Sequence, residues 1–497
     1  MWYDLALQTM TGTQIIIIGA LAYIGVLFAV GFYASRNIRT NSDFIVAGRR
    51  LPLWLCVFTV FATWFGSGTL IGAAGAAYEK GILGVLSNPI GSALCLFLAG
   101  LFYVRFLRRM RLLTLPDLFR RRYGRTAEVL CSFCIIPAYI GWVGSIFVAF
   151  GYVMHTTLGL DTTIAILLSA AVVIVYTFAG GMWAVSLTDF LQALVIIAGL
   201  LILFPLVLRD LGGFSGLLSQ APTGHFALLP EGTFKDWLWF IQALLVIGIG
   251  NIASQDLLQR AFSSRSERVA QWSMYITTIL YLSIAMIPVL LGIAGSVLIP
   301  GISDPEYILP ALGMKYLHPV AMAVFVGALF SALMSSADGG ILAPASIFGQ
   351  NILRILKPKI SENKILWSTR WSILVIGLLG LATALYFQNV YMLMVKSFSI
   401  LFVGLVIPMT AAIYWKKANT PGAVASIVSG MGSWLLLEAV QSTYPADLMA
   451  AGIGLITMIF VTLLTQARYP AKPMTDIEGN MLEYRDRLGL LGFPRSR

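Results

Sequence analysis

Two serines and an aspartate in one apolar stretch are the polar groups that stand out most in this sequence. The stretch 331–340 reads Ser-Ala-Leu-Met-Ser-Ser-Ala-Asp-Gly-Gly. In a helix, Ser335 and Asp338 share a face and Ser336 sits beside them. Hydroxyl, carbonyl and carboxylate oxygens together suit a hard cation such as Na⁺ better than a transition metal. Serines that bond their own helix, or an aspartate that relays protons, are the alternatives.

Two further carboxylates, Asp189 and Asp256, fall inside apolar segments. A charged side chain near the centre of a bilayer costs at least about 2.5–3.5 kcal/mol, so each is a functional candidate. Asp189 follows Ser186 on the same helical face, and capping of a helix start is its structural alternative. Asp256 precedes Arg260 by four residues, and an ion pair along one helix is the alternative there.

Glycine pairs interrupt two apolar segments at corresponding places. Gly66 and Gly68 lie within 61–70, and Gly248 and Gly250 lie within 247–256. By our numbering these are spans two and seven, and an offset of five spans gives the two copies opposite orientations. Paired broken helices in inverted halves indicate the binding site of a secondary transporter, because exposed backbone is tolerated there only beside a cavity, ion or substrate. Close helix packing is the alternative.

The composition identifies the elements that must hold these groups. Of 497 residues, 58% are hydrophobic and only 11% are charged, against about 25% charged in soluble domains. This excludes a soluble globule, a disordered chain and a disulfide scaffold. We therefore expect an all-α polytopic membrane protein in a lipid bilayer, and interpret the net charge of +11 as topology rather than nucleic-acid binding.

A membrane helix needs about 20 apolar residues, and period-two alternation is absent, which disfavours a β-barrel. The sequence then predicts thirteen spans: about 13–34, 52–78, 82–107, 127–156, 161–180, 182–208, 236–258, 268–298, 319–352, 366–388, 390–415, 420–440 and 446–467.

The basic residues divide unevenly between the two sets of loops that these spans define. Twenty-eight of the 33 lysines and arginines fall in one set, and five fall in the other. The positive-inside rule places the N-terminus outside and the C-terminus in the cytosol of a cell-membrane protein. The tail, 469–497, is then a cytosolic segment, and we expect no soluble domain.

Several motifs resemble the sodium:solute symporter family over nearly the whole chain. They are Asp-Phe-Ile-Val-Ala-Gly-Arg-Arg (43–50), Phe-Ala-Thr-Trp (61–64), Ala-Gly-Gly-Met-Trp-Ala-Val-Ser-Leu-Thr-Asp (179–189) and Met-Ser-Ser-Ala-Asp (334–338). Within that family the chain most resembles the high-affinity choline transporters, through 335–346, Gln-Arg (259–260) and Pro-Ile-Gly (89–91).

The resemblance implies one membrane transport domain, 1–497, with a leucine-transporter-like inverted repeat of five helices. It implies Na⁺-coupled symport by alternating access, with Na⁺ as coupling ion and no organic cofactor. The predicted parts are an extra first helix (13–34), the two repeats (52–208 and 236–415) and two C-terminal helices (420–467).

The resemblance also implies ion sites. The main sodium site would use backbone carbonyls of the first broken helix and groups of the ninth span, at Ala62, Phe65, Ala332, Ser335 and Ser336. A second Na⁺ or proton site would involve Ser186, Asp189 and Asp338. Asp338 stands where other members have serine.

Choline carriers surround a quaternary ammonium with aromatic rings, and the resemblance places Trp64 and Trp142 at two such positions. A third position, a tryptophan in the family pattern, is Ser254, and near Ser92 a tyrosine is missing. The predicted substrate-binding residues are Trp64, Gly66, Ser67, Trp142, Asn251, Ser254 and Gln255. Choline, a related quaternary amine or a zwitterion is the first choice, and proline, another amino acid or a small carboxylate is the alternative.

Other classes of protein would behave differently. A channel would conduct without saturation, and an H⁺-coupled carrier would use protons as the driving ion. An enzyme would need a nucleophile beside a base, and the only histidines, His155, His225 and His318, lie near predicted outer loops. We expect a transporter rather than an enzyme, acting as a monomer or weak homo-oligomer.

Overall fold

A computed structural model describes residues 2–35 and 40–482 of the chain. The predicted basic positions Arg36 and Arg39 and the tail beyond residue 482 lie outside the described residues. The helices of the first half are α1 (Trp2–Ser35), α2 (Asn41–Val46), α3 (Leu53–Trp64), α4 (Ala73–Lys80), α5 (Ser92–Leu98), α6 (Val104–Arg109), α7 (Leu115–Tyr123), α8 (Arg125–Leu158), α9 (Thr162–Gly180), α10 (Met182–Asp210) and α11 (Gly213–Gln220).

The second half continues in the same helical manner. Its helices are α12 (Phe234–Gly248), α13 (Gln255–Ser263), α14 (Glu267–Leu298), α15 (Ile308–Tyr316), α16 (Pro319–Ile347), α17 (Arg354–Leu356), α18 (Glu362–Phe387), α19 (Val390–Leu401), α20 (Ile407–Tyr414), α21 (Thr420–Ala439) and α22 (Ala446–Thr465). Across residues 2–35 and 40–482, β-structure is confined to isolated bridges, Leu51 with Ser264 and Thr475 with Met481.

Eleven helical segments among the described residues are long and apolar enough to cross a membrane. The predicted second span is interrupted after Trp64, so that Leu53–Trp64 has only 12 residues. Its remainder runs on into the predicted third span within the segment Gly68–Arg109. The predicted fifth span appears as the shorter apolar stretch Thr162–Val175. The polytopic all-α class is confirmed, whereas the count of thirteen stays a prediction.

Both glycine-containing segments are broken helices. α3 stops at Trp64, and the chain resumes helical geometry beyond Gly66. α12 stops at Gly248, passes through a 3₁₀ turn at Gly250–Ala253, and restarts as α13 after an extended Ser254. The chain thus exposes backbone polar groups at two interior points, as the sequence predicts.

The helix α16 forms the centre of the molecule and holds the serine and aspartate cluster. Every residue from Phe325 to Ile347 is buried. It packs against α1, α3, α8 and α10. Its burial on all sides explains why polar groups on it meet other helices rather than lipid.

Candidate functional site

The first broken helix meets α16 at its open end. The last carbonyls of a helix lack partners within the helix. One of them, the Thr63 carbonyl, accepts a 2.6 Å hydrogen bond from the Ser336 hydroxyl. A Cβ on Gly66 would overlap the Ser336 side chain, so the glycine lets α16 approach this closely. The break therefore brings backbone oxygen and a hydroxyl together in the protein interior.

The predicted main sodium residues are all fully buried: Ala62, Phe65, Ala332, Ser335 and Ser336. Ser336 lies at the helix break, where it contacts Thr63, a residue that the prediction does not contain. Ser335 is turned away from the break and donates its hydroxyl hydrogen to Asp189. The two neighbouring serines thus connect α16 to two different helices.

Asp189 is the centre of a buried polar network. Its carboxylate accepts hydrogen bonds from Thr59, from Thr63 at 3.4 Å and from Ser335. The Arg260 guanidinium lies 3.7 Å from it, and both side chains are completely shielded from solvent. The network ties α3, α10, α13 and α16 together, and the positive charge of Arg260 compensates the carboxylate.

Two interpretations of the sequence are wrong. Asp189 does not cap a helix, because α10 begins at Met182 and Asp189 lies about two turns inside it. The carboxylate of Asp256 does not pair with Arg260. The Arg260 guanidinium pairs with Asp189 instead, and its contact with Asp256 is a 3.2 Å hydrogen bond that it donates to the main-chain carbonyl. The Ser186 hydroxyl, a predicted second-site group, donates to the Met182 carbonyl of its own helix at 2.8 Å.

Asp338 has a separate environment. Its Oδ1 accepts a 2.7 Å hydrogen bond from Thr177. Its Oδ2 is buried and has no hydrogen-bond partner in the part of the chain that the structure describes. The three predicted second-site residues therefore do not share hydrogen bonds: Ser186 serves its own helix, Asp189 is paired with an arginine, and Asp338 keeps one oxygen without a partner.

A small cavity lies where the two broken helices meet α8 and α19. Its free volume is about 20 Å³. The lining residues are Trp64, Gly66, Gly68, Asn88, Ser92, Trp142, Ile247, Asn251, Asp256, Met394 and Phe398. Four predicted substrate residues are among them: Trp64, Gly66, Trp142 and Asn251.

Three other predicted substrate residues lie outside this lining. Ser67 faces Ser145, with 3.2 Å between their hydroxyl oxygens. Gln255 accepts a 2.7 Å hydrogen bond from the backbone of Leu115, so its amide anchors the start of α7. Ser254 is buried, and its hydroxyl has no partner among residues 2–35 and 40–482.

Asp256 also lines the cavity, although it is not among the substrate-binding residues predicted from the sequence. A carboxylate in an apolar segment marks it as a functional candidate, but local spacing does not reveal its neighbours. Its Oδ2 accepts a 3.0 Å hydrogen bond from Trp64 Nε1, and its Oδ1 accepts one from the Tyr139 hydroxyl. Asn88 and Met394 also line the cavity, and neither of them is predicted from the sequence. Methionine is common in apolar segments, so nothing in its residue type marks Met394.

The model of the sodium:solute symporter family matches residues 44–430. The chain belongs to the sodium:solute symporter family. This symporter is 30% identical over 443 residues to the human high affinity choline transporter 1, covering 84% of this chain and 75% of that protein. It is 28% identical to the Haemophilus influenzae sodium/pantothenate symporter, with 85% and 90% covered. The family is one of multi-pass membrane transporters.

The fold of the symporter is also known from solved transporters. A Na⁺-coupled sialic acid symporter, in a substrate-bound outward-open state, superposes with a TM-score of 0.79 at 23% identity, covering 92% of this chain and 99% of that one. Solved neighbours share the leucine-transporter type of fold that the resemblance implied. At this identity the likeness establishes the fold alone.

Proposed function

We propose that this symporter imports a small organic solute by coupling it to Na⁺ through alternating access. The observation that carries the proposal is the hydrogen bond from Ser336 to the Thr63 carbonyl at the end of the broken α3. A cation placed there would find backbone and hydroxyl oxygens already converging. Membership of the sodium:solute symporter family supports the choice of Na⁺.

The main Na⁺ would be held by the carbonyls of Ala62 and Phe65 and by Ala332 and Ser336. Ser335 would join them once its hydroxyl leaves Asp189. Binding from outside would fix α3 to α16 and so order the adjoining cavity before substrate arrives. Each Na⁺ moving inward down 100 mV supplies about 2.3 kcal/mol, and a tenfold gradient adds about 1.4 kcal/mol. One ion would thus support roughly several-hundred-fold accumulation of a neutral solute.

A second coupling ion, Na⁺ or a proton, belongs to the same proposal. The partnerless oxygen of Asp338 supports it. The arginine beside Asp189 opposes a cation at that carboxylate. Counting charges moved per substrate, at imposed voltages, separates one ion from two.

The first choice of substrate is choline, a related quaternary amine or a zwitterion. The rings of Trp64 and Trp142 border the cavity, and Trp142 also packs against Phe398 with centroids 5.5 Å apart. Aromatic faces attract cations by about 0.5–2 kcal/mol each. Proline, another amino acid or a small carboxylate is the alternative, since Ser254 and Ser92 weaken an aromatic enclosure.

Uptake into sealed proteoliposomes tests the proposal. Choline, betaine, proline and simple carboxylates are offered with Na⁺, Li⁺ or H⁺ gradients imposed one at a time. Saturable accumulation driven by Na⁺ is expected. Non-saturating currents would identify a channel, and accumulation driven only by H⁺ would identify a proton-coupled carrier.

The thirteen-span topology, with an outside N-terminus and a cytosolic C-terminus, belongs to the same proposal. The support for this topology is that 28 lysines and arginines fall in one set of predicted loops and five fall in the other. Protease or antibody access to terminal tags in intact and permeabilised cells tests it. A tag at the N-terminus should be accessible in intact cells, and a tag at the C-terminus should not.

A further inference from the structure

The carboxylate of Asp256 lies in the wall of the cavity between the broken helices. The residue is the second of α13, lies two positions after the extended Ser254, and is 2% exposed. Both carboxylate oxygens have neutral donors, Trp64 Nε1 at 3.0 Å and the Tyr139 hydroxyl. Its backbone N–H in turn donates to the Tyr139 oxygen at 2.9 Å. The carboxylate is thus held in a fixed orientation.

No cationic side chain among the described residues lies within ion-pair distance of this carboxylate. Arg260, the basic residue nearest to it in sequence, pairs with Asp189 instead. Hydrogen bonds from neutral donors, and the start of a helix, stabilise a carboxylate without cancelling its charge. A buried charge without an opposite partner is costly. A cationic ligand would supply the opposite charge that this carboxylate lacks.

The remaining walls favour the same kind of ligand. The side-chain oxygen of Asn251 is buried without a partner among residues 2–35 and 40–482, so it is a second acceptor. The cavity lining contains no lysine, arginine or histidine to receive a ligand's carboxylate. Acceptors, one negative charge and the rings of Trp64 and Trp142 together select a donor-bearing cation.

We propose that Asp256 is the counter-ion that selects a protonated small amine, whose N–H groups donate to its carboxylate and to Asn251. The inference rests on the proposed symport, and it replaces the quaternary amine, the first choice above, with a protonated amine that carries N–H donors. A quaternary ammonium offers charge but no N–H donors, and Ser254 and Ser92 leave its aromatic enclosure incomplete. An anionic solute has no counter-charge in this cavity.

A methylation series tests the proposal on the wild-type protein. Na⁺-driven uptake into proteoliposomes is measured for ethanolamine, N-methylethanolamine, N,N-dimethylethanolamine and choline, which keep the charge and lose N–H donors stepwise. Apparent affinity should fall along the series, and neutral 3,3-dimethylbutan-1-ol should not compete. A preference for choline, or equal competition by the neutral alcohol, would overturn the proposal.

The variant Asp256→Asn should lower the affinity for ethanolamine by about tenfold or more. The apparent affinities of the four compounds in the methylation series should then become similar. Stabilisation of the purified protein by Na⁺ should stay unchanged. Asp447→Asn is the matched control, because that buried acid bonds to Gln242 at 2.6 Å and lies outside the cavity lining.

The outcomes separate the two proposals. Na⁺-driven uptake of proline or a carboxylate that amines do not inhibit would overturn the counter-ion role and leave symport intact. Absence of Na⁺-driven uptake for every compound would overturn symport itself. If Asp256→Asn does not fold, the methylation series on the wild-type protein still decides.

Discussion

Ser336 on α16 donates a 2.6 Å hydrogen bond to the carbonyl of Thr63, four residues before the point where the broken helix resumes. We expect Ser336→Ala to raise the Na⁺ concentration needed for half-maximal uptake by about tenfold, which corresponds to about 1.4 kcal/mol, because the ion loses one of its proposed oxygen ligands. Na⁺ activation curves of uptake measure the change.

The control for this substitution lies on the same helix. The Ser346 hydroxyl donates to its own helix at Leu342, 2.7 Å away, so Ser346→Ala should leave Na⁺ activation unchanged. Unaltered Na⁺ activation in folded Ser336→Ala protein would remove this hydroxyl from the ion site.

The pair Asp189–Arg260 should be a major determinant of folding. Removing one partner of a buried ion pair costs about 3–5 kcal/mol, because the other charge is left uncompensated. Arg260→Met should therefore lower the thermal midpoint of the purified protein strongly. The double variant Asp189→Asn with Arg260→Met should recover most of the loss. Additive losses in the double variant would show that the two charges do not depend on each other.

Trp64 should matter more to substrate than to Na⁺. Trp64→Ala removes both the ring beside the cavity and the N–H donor to Asp256, so we expect the substrate concentration for half-maximal uptake to rise about tenfold or more, with a smaller change for Na⁺. Trp64→Phe, which keeps a ring, should be intermediate. Trp434→Phe is the control, since Trp434 is equally buried, 7% exposed, but lies on α21. Equal losses for substrate and Na⁺ would indicate a packing role.

The helix breaks were predictable because their cause is local. Glycine pairs flanked by apolar residues mark the interruptions near Gly66 and Gly250, and the structure interrupts both helices there. The span count was less predictable, because hydropathy reports apolar continuity and not where a helix stops. The predicted second span divides at Trp64 for this reason.

The partners of the buried carboxylates were not predictable from spacing. The rule for neighbours on one helix joins Asp256 to Arg260, yet Arg260 lies 3.7 Å from Asp189, a residue distant in sequence. Likewise Met394 and Phe398 line the cavity, although such residues usually pack in cores or face lipid. Only the packing of helices that are distant in sequence determines these contacts.

Glu306 connects the loop after α14 to the start of α19. Its carboxylate accepts hydrogen bonds from the backbone N–H groups of Val390 at 3.1 Å and Tyr391 at 2.9 Å. α19 then carries Met394 and Phe398 into the cavity. The buried carboxylate thus holds the helix whose side chains line the candidate substrate site.

The stability that Glu306 contributes should depend on pH. Burial, with Asp304 and Glu79 nearby, raises the pKa of Glu306 from its ordinary 4.5 to about 7. The native state therefore binds the Glu306 proton more tightly than the unfolded state does. The stability that Glu306 contributes is full below about pH 4.5 and is lost as the pH rises through about 7. The thermal midpoint of the wild type, relative to Glu306→Gln, should therefore fall between pH 5 and pH 8. Glu231→Gln, in an exposed loop, keeps Glu306, so its midpoint should fall with pH as the wild type's does. A wild-type midpoint that tracks Glu306→Gln at every pH would contradict the assignment.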